Sequence, residues 1–438
     1  MITPNIRLKT ENFRAVNSAD IIIDGITVVA GENGSGKSSI SKLLYFLYKT
    51  VANYDFLVRK RLLSQLNDVS RFMSIVLQES GRTIKDRNLR EDFRRELSEL
   101  RRSLILNKNS FLEEDLENWL KAISKVEEVY KSNEHNKSGL NQQSARLNYI
   151  VRDIIKDKNF QNDDYDSFES IKIFVESKFK EALGKIESRP TSLFIQELRS
   201  AFSDGELPNS FKVWEFDDLI VSLNKDNLSI PYSIQNAIYI DTPMMISVED
   251  SHNVHWDDLN DLLIEKGTNN NSVTQLISTE IIKGNVIIEE ANFTADDFKF
   301  KRSDGKVFNL LDVATGIKSF SIIQMLIKNG SLNDKTLLII DEPESHLHPQ
   351  WIIEYARIIV MLNKELGVKF FLATHNPDMV SAIRYISEKE GTLDGVNFYL
   401  AEREADTFKY NYRSLGKEID PIFESFNIAI DRINSYGI

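Results

Sequence analysis

The sequence predicts an α/β protein in which a mixed sheet flanked by helices is built from both ends of the chain and interrupted by an all-helical insertion. Three observations carry this. A β-branched run, a glycine-rich turn and an amphipathic stretch follow one another near the N-terminus. The last third alternates strand-like and helix-like segments, the pattern of a parallel sheet with helices on its faces. Between these regions, residues from about 55 to 205 are poor in glycine and repeat apolar side chains at helical spacing. At 438 residues, the chain has length for two or three units of roughly 150 residues each.

The elements follow in order. Apolar and polar positions alternate over residues 6–13, pause at Asn17-Ser18, and resume at Ile21, Ile22 and Ile23. Asp24-Gly25 is a hairpin-type turn signal, and residues 26–29 form a β-branched run ending at Gly31. We expect two antiparallel strands, a buried strand, and a helix starting near Lys37 with Ile40, Leu43, Leu44 and Leu47 on one face. In the insertion, Leu89, Phe93, Leu97, Leu100 and Leu104 mark one helix. Leu112, Leu116, Leu120, Ile123 and Val126 mark a second, after the polar break 107–110. Further helices are expected over about 140–157 and 167–187, separated by the polar segment 159–166, and Pro190 marks another break. Strands are then expected at 211–216, 237–240, 286–288, 298–301, 336–340, 368–373 and 396–400, with helices at about 316–329 and 350–366. The simplest division is one α/β domain from residues 1–55 and 206–438 and a helical arm over 56–205.

Composition narrows the function. The 54 Lys+Arg against 66 Asp+Glu give a net charge of −12, which disfavours a nucleic-acid coat protein but leaves room for a local basic groove. With no cysteine, the chain forms no disulfide, thiolate metal site or cysteine nucleophile. The N-terminus has no apolar core behind a basic start, and no apolar run approaches the ~20 residues needed to cross a bilayer, so a cytoplasmic protein without membrane contact is expected.

Gly31-Glu32-Asn33-Gly34-Ser35-Gly36-Lys37-Ser38 fits the phosphate-loop pattern G-x-x-x-x-G-K-[ST] in full, with Ser39 following. Glycines let successive backbone N–H groups turn inward around a phosphate at the positive end of the next helix. Lys37 is expected on the β- and γ-phosphates and the Ser38 hydroxyl on Mg²⁺. Farther on, Leu337-Leu338-Ile339-Ile340 is a buried strand ending in Asp341 and Glu342. Asp341 is expected to hold Mg²⁺, and Glu342 to act as general base on an attacking water. Thr374-His375-Asn376-Pro377 ends the next strand, and parallel strands converge at their carboxyl ends, so His375 is expected at the same crevice.

With these three motifs together, the chain resembles the ABC-type ATPase head of the SMC-, RecF- and OLD-like branch, in which a helical arm is spliced into the head. The resemblance covers about 270 residues and implies an ABC-type P-loop head of mixed sheet, flanking helices and an antiparallel β-subdomain. It implies ATP and Mg²⁺ as ligands, and a signature loop at a helix start before the aspartate strand. The matching segment is Ala314-Thr315-Gly316-Ile317-Lys318-Ser319, where Ala314 and Thr315 replace the usual serine pair. Thr315, Gly316 and Lys318 would then meet the γ-phosphate held by a second copy, giving a head-to-head dimer. The alternative is an ordinary N-cap by Thr315. Ser345-His346-Leu347-His348 matches the family's interface-crossing loop, with a transition-metal role for the two histidines as the weaker reading. Arg14 matches a position that contacts nucleotide in related heads, or is a solvated surface arginine. No glutamine is singled out for the family's glutamine loop.

The form "DEPESHLHPQW" also resembles stand-alone bacterial anti-phage defence ATPases, such as the ATPase subunit of Septu-type systems. That implies a regulatory ATPase holding a separate effector, such as a nuclease; only 63 residues follow His375, and no nuclease motif is seen in the chain. A DNA-binding repair ATPase of the RecF/SMC kind is the alternative. Residues 59–102 carry 12 Lys/Arg, among them Arg59, Lys60, Arg61, Arg94, Arg95, Arg101 and Arg102, against 7 Asp/Glu. This reads either as a track for DNA phosphates or as a solvated helix face with interleaved Glu91, Asp92 and Glu96. An AAA+ ring is disfavoured, because the helices are inserted mid-chain and not placed as a C-terminal lid.

Overall fold

The computed structural model describes residues 6–79, 84–106, 111–134, 149–151, 154, 167–202, 204–241, 254–265, 267–289, 297–424 and 435–436. It divides into two compact units, one of residues 1–52 and 191–438 and one of residues 53–190.

The first unit is organised around a ten-stranded sheet. Its strands are β1 (Ile6–Phe13), β2 (Val16–Ile23), β3 (Ile26–Ala30), β4 (Ser210–Glu215), β5 (Asp218–Ser222), β6 (Asn236–Ile240), β10 (Thr336–Asp341), β11 (Lys369–Thr374), β12 (Val396–Arg403) and β13 (Tyr410–Gly416). Their order is β5-β4-β1-β2-β13-β12-β3-β11-β10-β6. A separate antiparallel sheet holds β7 (Gly284–Glu289), β8 (Asp297–Arg302) and β9 (Val307–Asn309). Strands β12, β3, β11, β10 and β6 run parallel. Every residue of β3, β10 and β11 is buried, as strands covered on both faces must be. Helices α1 (Lys37–Ala52), α6 (Thr191–Ala201), α7 (Val254–Ile264), α8 (Ser272–Leu276), α9 (Thr315–Lys328), α10 (Pro349–Leu366) and α11 (Pro377–Glu390) complete the unit. Phe320 of α9 packs edge-on against Trp351 and Tyr355 of α10, tying the two helices into the main apolar core.

Two sequence expectations meet a different local structure. The first two strands do pair, but the turn falls at Arg14-Ala15, and Asn17-Ser18 lies inside β2. Asp24-Gly25 joins β2 to β3 without making a hairpin, because β13 and β12 lie between those strands. A side chain on Gly25 would meet the Gly395 carbonyl at 2.8 Å, so this glycine answers to close packing.

The second unit is helical: α2 (Tyr54–Glu79), α3 (Ile84–Leu106), α4 (Leu112–Glu134) and α5 (Ser167–Ser188). The long α2 packs against each of the other three. Phe72 and Tyr130 both pack against the Phe168 ring. The segments 107–110 and 159–166 and most of the helix expected over 140–157 lie outside the described residues. The division expected at 55/56 and 205/206 compares with 52/53 and 190/191 in the structure. The difference is α6, which packs on α1: its apolar spacing reports a helix but not which core takes it.

Candidate active site

Lys37 opens α1 directly after the glycine turn, and its backbone is set by two residues with positive φ, Gly34 at +82° and Gly36 at +92°. Gly36 also runs against Val16, whose Cγ2 would lie 2.7 Å from any added Cβ. Gly31 is confined in the same way by Ala401 of β12. Tyr412 of β13 donates its hydroxyl to the Ser35 carbonyl at 3.1 Å. The turn is thus clamped by three strands of the sheet.

Lys37 is 7% exposed, and its ammonium folds back on the turn, donating to the carbonyls of Gly31 and Glu32 at 2.8 Å each. Burial pushes its pKa down, and the charges of Asp341, Glu342, Glu344 and Glu32 push it back up. Two strands away, Asp341 ends β10, with β11 between it and β3. Ser41, one helical turn beyond Lys37, donates to Asp341 Oδ1 at 2.7 Å, and Tyr239 of β6 donates to Oδ2 at 2.7 Å. Burial raises the Asp341 carboxyl above its ordinary value, while hydrogen bonds from Tyr239, Ser41 and Ser38 hold it down.

Glu342 adopts φ +51°, in the left-handed region, while its N–H still bonds the Ala373 carbonyl at 2.8 Å. This turns its half-exposed side chain out of the strand direction. His375 Nδ1 lies 3.5 Å from Glu342 Oε1 and 3.3 Å from Glu344 Oε1. Arg14, also with positive φ at the β1–β2 turn, pairs with Asp204 and sits over the Phe202 ring at 4.6 Å.

A cavity of about 350 Å³ joins the two motifs, lined by Arg14, Ala15, Asn33, Gly34, Ser35, Gly36, Lys37, Ser38, Ser39, Asp341, Glu342 and Ala373. Its chemistry suits a nucleoside triphosphate with Mg²⁺. The turn presents backbone donors, Lys37 a cation, and Ser38 and Asp341 the hard oxygen donors that Mg²⁺ prefers. Gly31 contributes through the Lys37 bond to its carbonyl. His375 stands beside the cavity through its contact with Glu342.

A family description, AAA ATPase domain, matches residues 6–380. This chain belongs to the AAA ATPase domain family. The match runs from β1 into α11 and takes in both units. Among solved structures, the chain is similar to an Smc head domain with extended coiled coil from Pyrococcus furiosus, at 12% identity over 98% of this chain and 100% of that one, TM-score 0.35. It is also similar to the SMC head domain from Thermotoga maritima, at 9% identity over 93% and 98%, TM-score 0.34. No curated protein sequence matches it.

In this AAA ATPase domain chain, Thr315, Gly316 and Lys318 are not among the residues that line the cavity. Ala314 is the N-cap residue of α9, without a side-chain cap bond, and Thr315 is the first helical residue; the reading of Thr315 as an N-cap is therefore corrected. Lys318 is buried and donates to the Leu311 carbonyl at 2.8 Å. Gly316 is covered by Trp351. His348 caps α10, accepting from the Gln350 N–H. Sequence reasoning missed Ser41, Tyr239, Glu344 and Tyr412. Ser41 was open to discovery through its four-residue spacing from Lys37; Tyr239 and Tyr412 become visible only with the strand order.

Proposed function

We propose that this chain binds ATP with Mg²⁺ and hydrolyses it to ADP and phosphate, and that two copies close head to head on the nucleotide. One observation supports the catalytic reading most: Lys37 and Ser38 at the start of α1, and Asp341 and Glu342 at the end of β10, face a single cavity. In this reading, the backbone N–H groups of residues 31–38 cradle the phosphates and Lys37 leaves the Gly31 and Glu32 carbonyls for the β- and γ-phosphates. Ser38 and Asp341 would hold Mg²⁺, which would supply positive charge against the phosphate oxygens. Glu342 takes a proton from water as its oxygen bonds to the γ-phosphorus, and the bond to the ADP oxygen breaks. Asp341 is buried with both oxygens accepting from Ser41 and Tyr239, whereas Glu342 is half-exposed at the cavity, so Glu342 is the better placed of the two for this. His375 orients Glu342. Thr315, Gly316 and Lys318 of the second copy complete the site.

Purified protein tests this directly. Glu342→Gln is expected to keep ATP binding and lose turnover; full activity in that variant removes Glu342 as the base. Lys37→Ala is expected to lose nucleotide affinity, and unchanged affinity rejects the phosphate-loop assignment.

We further propose a regulatory role in bacterial anti-phage defence, with the ATPase controlling a separate effector nuclease. The support is the resemblance of residues 341–351. Co-purification from the native source with mass spectrometry is expected to return a second protein. The RecF/SMC-like reading has its own support: Arg94, Arg95, Arg101 and Arg102 are all exposed on α3. Arg59 does not join them, being buried against Asp115 at 3.2 Å. ATP-dependent DNA affinity falling steeply with salt would favour that reading.

A further inference from the structure

We propose that Glu344 is a positioning residue: it fixes the imidazole of His375 and, through it, the carboxylate of Glu342. The inference deepens the catalytic reading above and rests on Glu342 as the base.

Glu344 is a carboxylate with a side chain only 4% exposed, three residues beyond Asp341. Its Oε1 accepts from the Thr374 hydroxyl at 2.8 Å and from the His375 backbone N–H at 3.0 Å. It therefore grips the end of β11 on either side of the Thr374–His375 peptide. The same oxygen lies 3.3 Å from His375 Nδ1. Among the described residues, Glu344 Oε2 and His375 Nδ1 are both buried atoms without a hydrogen-bond partner. A buried polar atom left unpaired is costly, and here an acceptor and a ring nitrogen stand on side chains already in contact. Oε1 already accepts two bonds, so a turn of the imidazole that brings Nδ1–H onto the unpaired Oε2 satisfies both atoms.

His375 Nδ1 also lies 3.5 Å from Glu342 Oε1, so one ring nitrogen faces a buried carboxylate and a half-exposed one, and a ring fixed by the first sets the place of the second. Among the described residues Glu342 makes no side-chain hydrogen bond, whereas Glu344 is anchored twice. Order passes from the anchored carboxylate to the free one. A structural role alone, closing the turn after β10 onto β11, needs only the Oε1 acceptor. Positioning needs Glu344 as an acceptor toward Nδ1 as well. Glutamine separates these roles: with its carbonyl oxygen in the place of Oε1 it still serves Thr374 and the His375 N–H, while the amide nitrogen in the place of Oε2 cannot accept from Nδ1–H.

The test compares wild type, Glu344→Gln, His375→Ala and the double variant in the full chain. Glu344→Gln is expected to lower kcat by about ten- to a hundredfold, the range a misplaced group costs, with KM for ATP unchanged. The double variant is expected to turn over no more slowly than His375→Ala alone. A wild-type kcat in Glu344→Gln, or an equal further loss on the His375→Ala background, overturns the proposal. ¹⁵N NMR of the imidazole, assigned by the signal lost in His375→Ala, reads the arrangement without turnover. Wild type is expected to carry the proton on Nδ1, and a wild-type ring protonated on Nε2 alone overturns the proposal. Absence of ATPase activity in the wild type defeats the catalytic reading, and the ring signal still decides the role of Glu344.

Discussion

Asp341 is 5% exposed, and hydroxyls from Ser41 and Tyr239 close on its two oxygens. The bonds favour the carboxylate, burial opposes it, and burial prevails, so its pKa lies above the ordinary aspartate value of about 3.9. The folded protein thus holds this proton to higher pH than the unfolded chain does. The fold loses stability as pH rises from the unfolded value through the folded one. Asp341→Asn removes the buried charge, and rotating hydroxyls at Ser41 and Tyr239 can still pair with the amide. Thermal unfolding of the nucleotide-free protein is therefore expected to show the variant melting a few degrees above wild type at pH 7, with the gap narrowing toward pH 4. Mg²⁺-dependent nucleotide affinity is expected to fall in the same variant. A gap that does not change with pH assigns the difference to packing. Lys37, Ser38, Asp341 and Glu342 were legible from sequence because phosphate-loop and acidic-strand chemistry fixes residue types at fixed offsets. Tyr239 was not: its role depends on β6 lying beside β10 in parallel, a pairing across about a hundred residues that no local pattern records.

At the scale of elements, α9 shows how tightly the signature segment is tied to its own unit. A Cβ on Gly316 would lie 2.8 Å from two ring atoms of Trp351, and Phe320, one turn later, packs on the same ring. The helix start is seated against α10, which in turn begins at the His348 cap. Gly316→Ala is expected to destabilise the protein by about 1–3 kcal/mol, as overpacking does, read as a lower urea midpoint at unchanged slope. An unchanged midpoint means that Trp351 yields freely. The same element explains part of what the sequence concealed. A side chain at 316 would meet an indole from a helix that begins 33 residues later, a reason for glycine there that no local pattern records. The strands and helices were visible through their periodicities. The Asp24-Gly25 connection misled because a two-residue turn signal is local, while the insertion of β12 and β13 between β2 and β3 comes from the far end of the chain.

At the scale of the whole molecule, the site of one copy leaves the start of α9 unused, and the proposed dimer gives it a role. The first N–H groups of a helix have no partner within it, and at α9 the capping position is Ala314, which offers no side-chain acceptor. An acceptor placed there by Ala314→Asp would cap the helix and add negative charge at its positive end. Two effects of opposite sign follow. The nucleotide-free protein is expected to gain about 1 kcal/mol, seen as a raised melting temperature. A phosphate brought by a second copy would meet a carboxylate in place of free donors, so ATP-driven dimerisation is expected to weaken by at least about tenfold, an electrostatic cost of roughly 1.4 kcal/mol. The measurement is sedimentation of Glu342→Gln with ATP, with and without Ala314→Asp, so that hydrolysis does not empty the site. Dimerisation as strong with the added carboxylate as without it would mean that α9 does not face the partner's nucleotide. A raised melting temperature alongside lost dimerisation is the pattern expected of a helix start left open for a ligand carried by another copy.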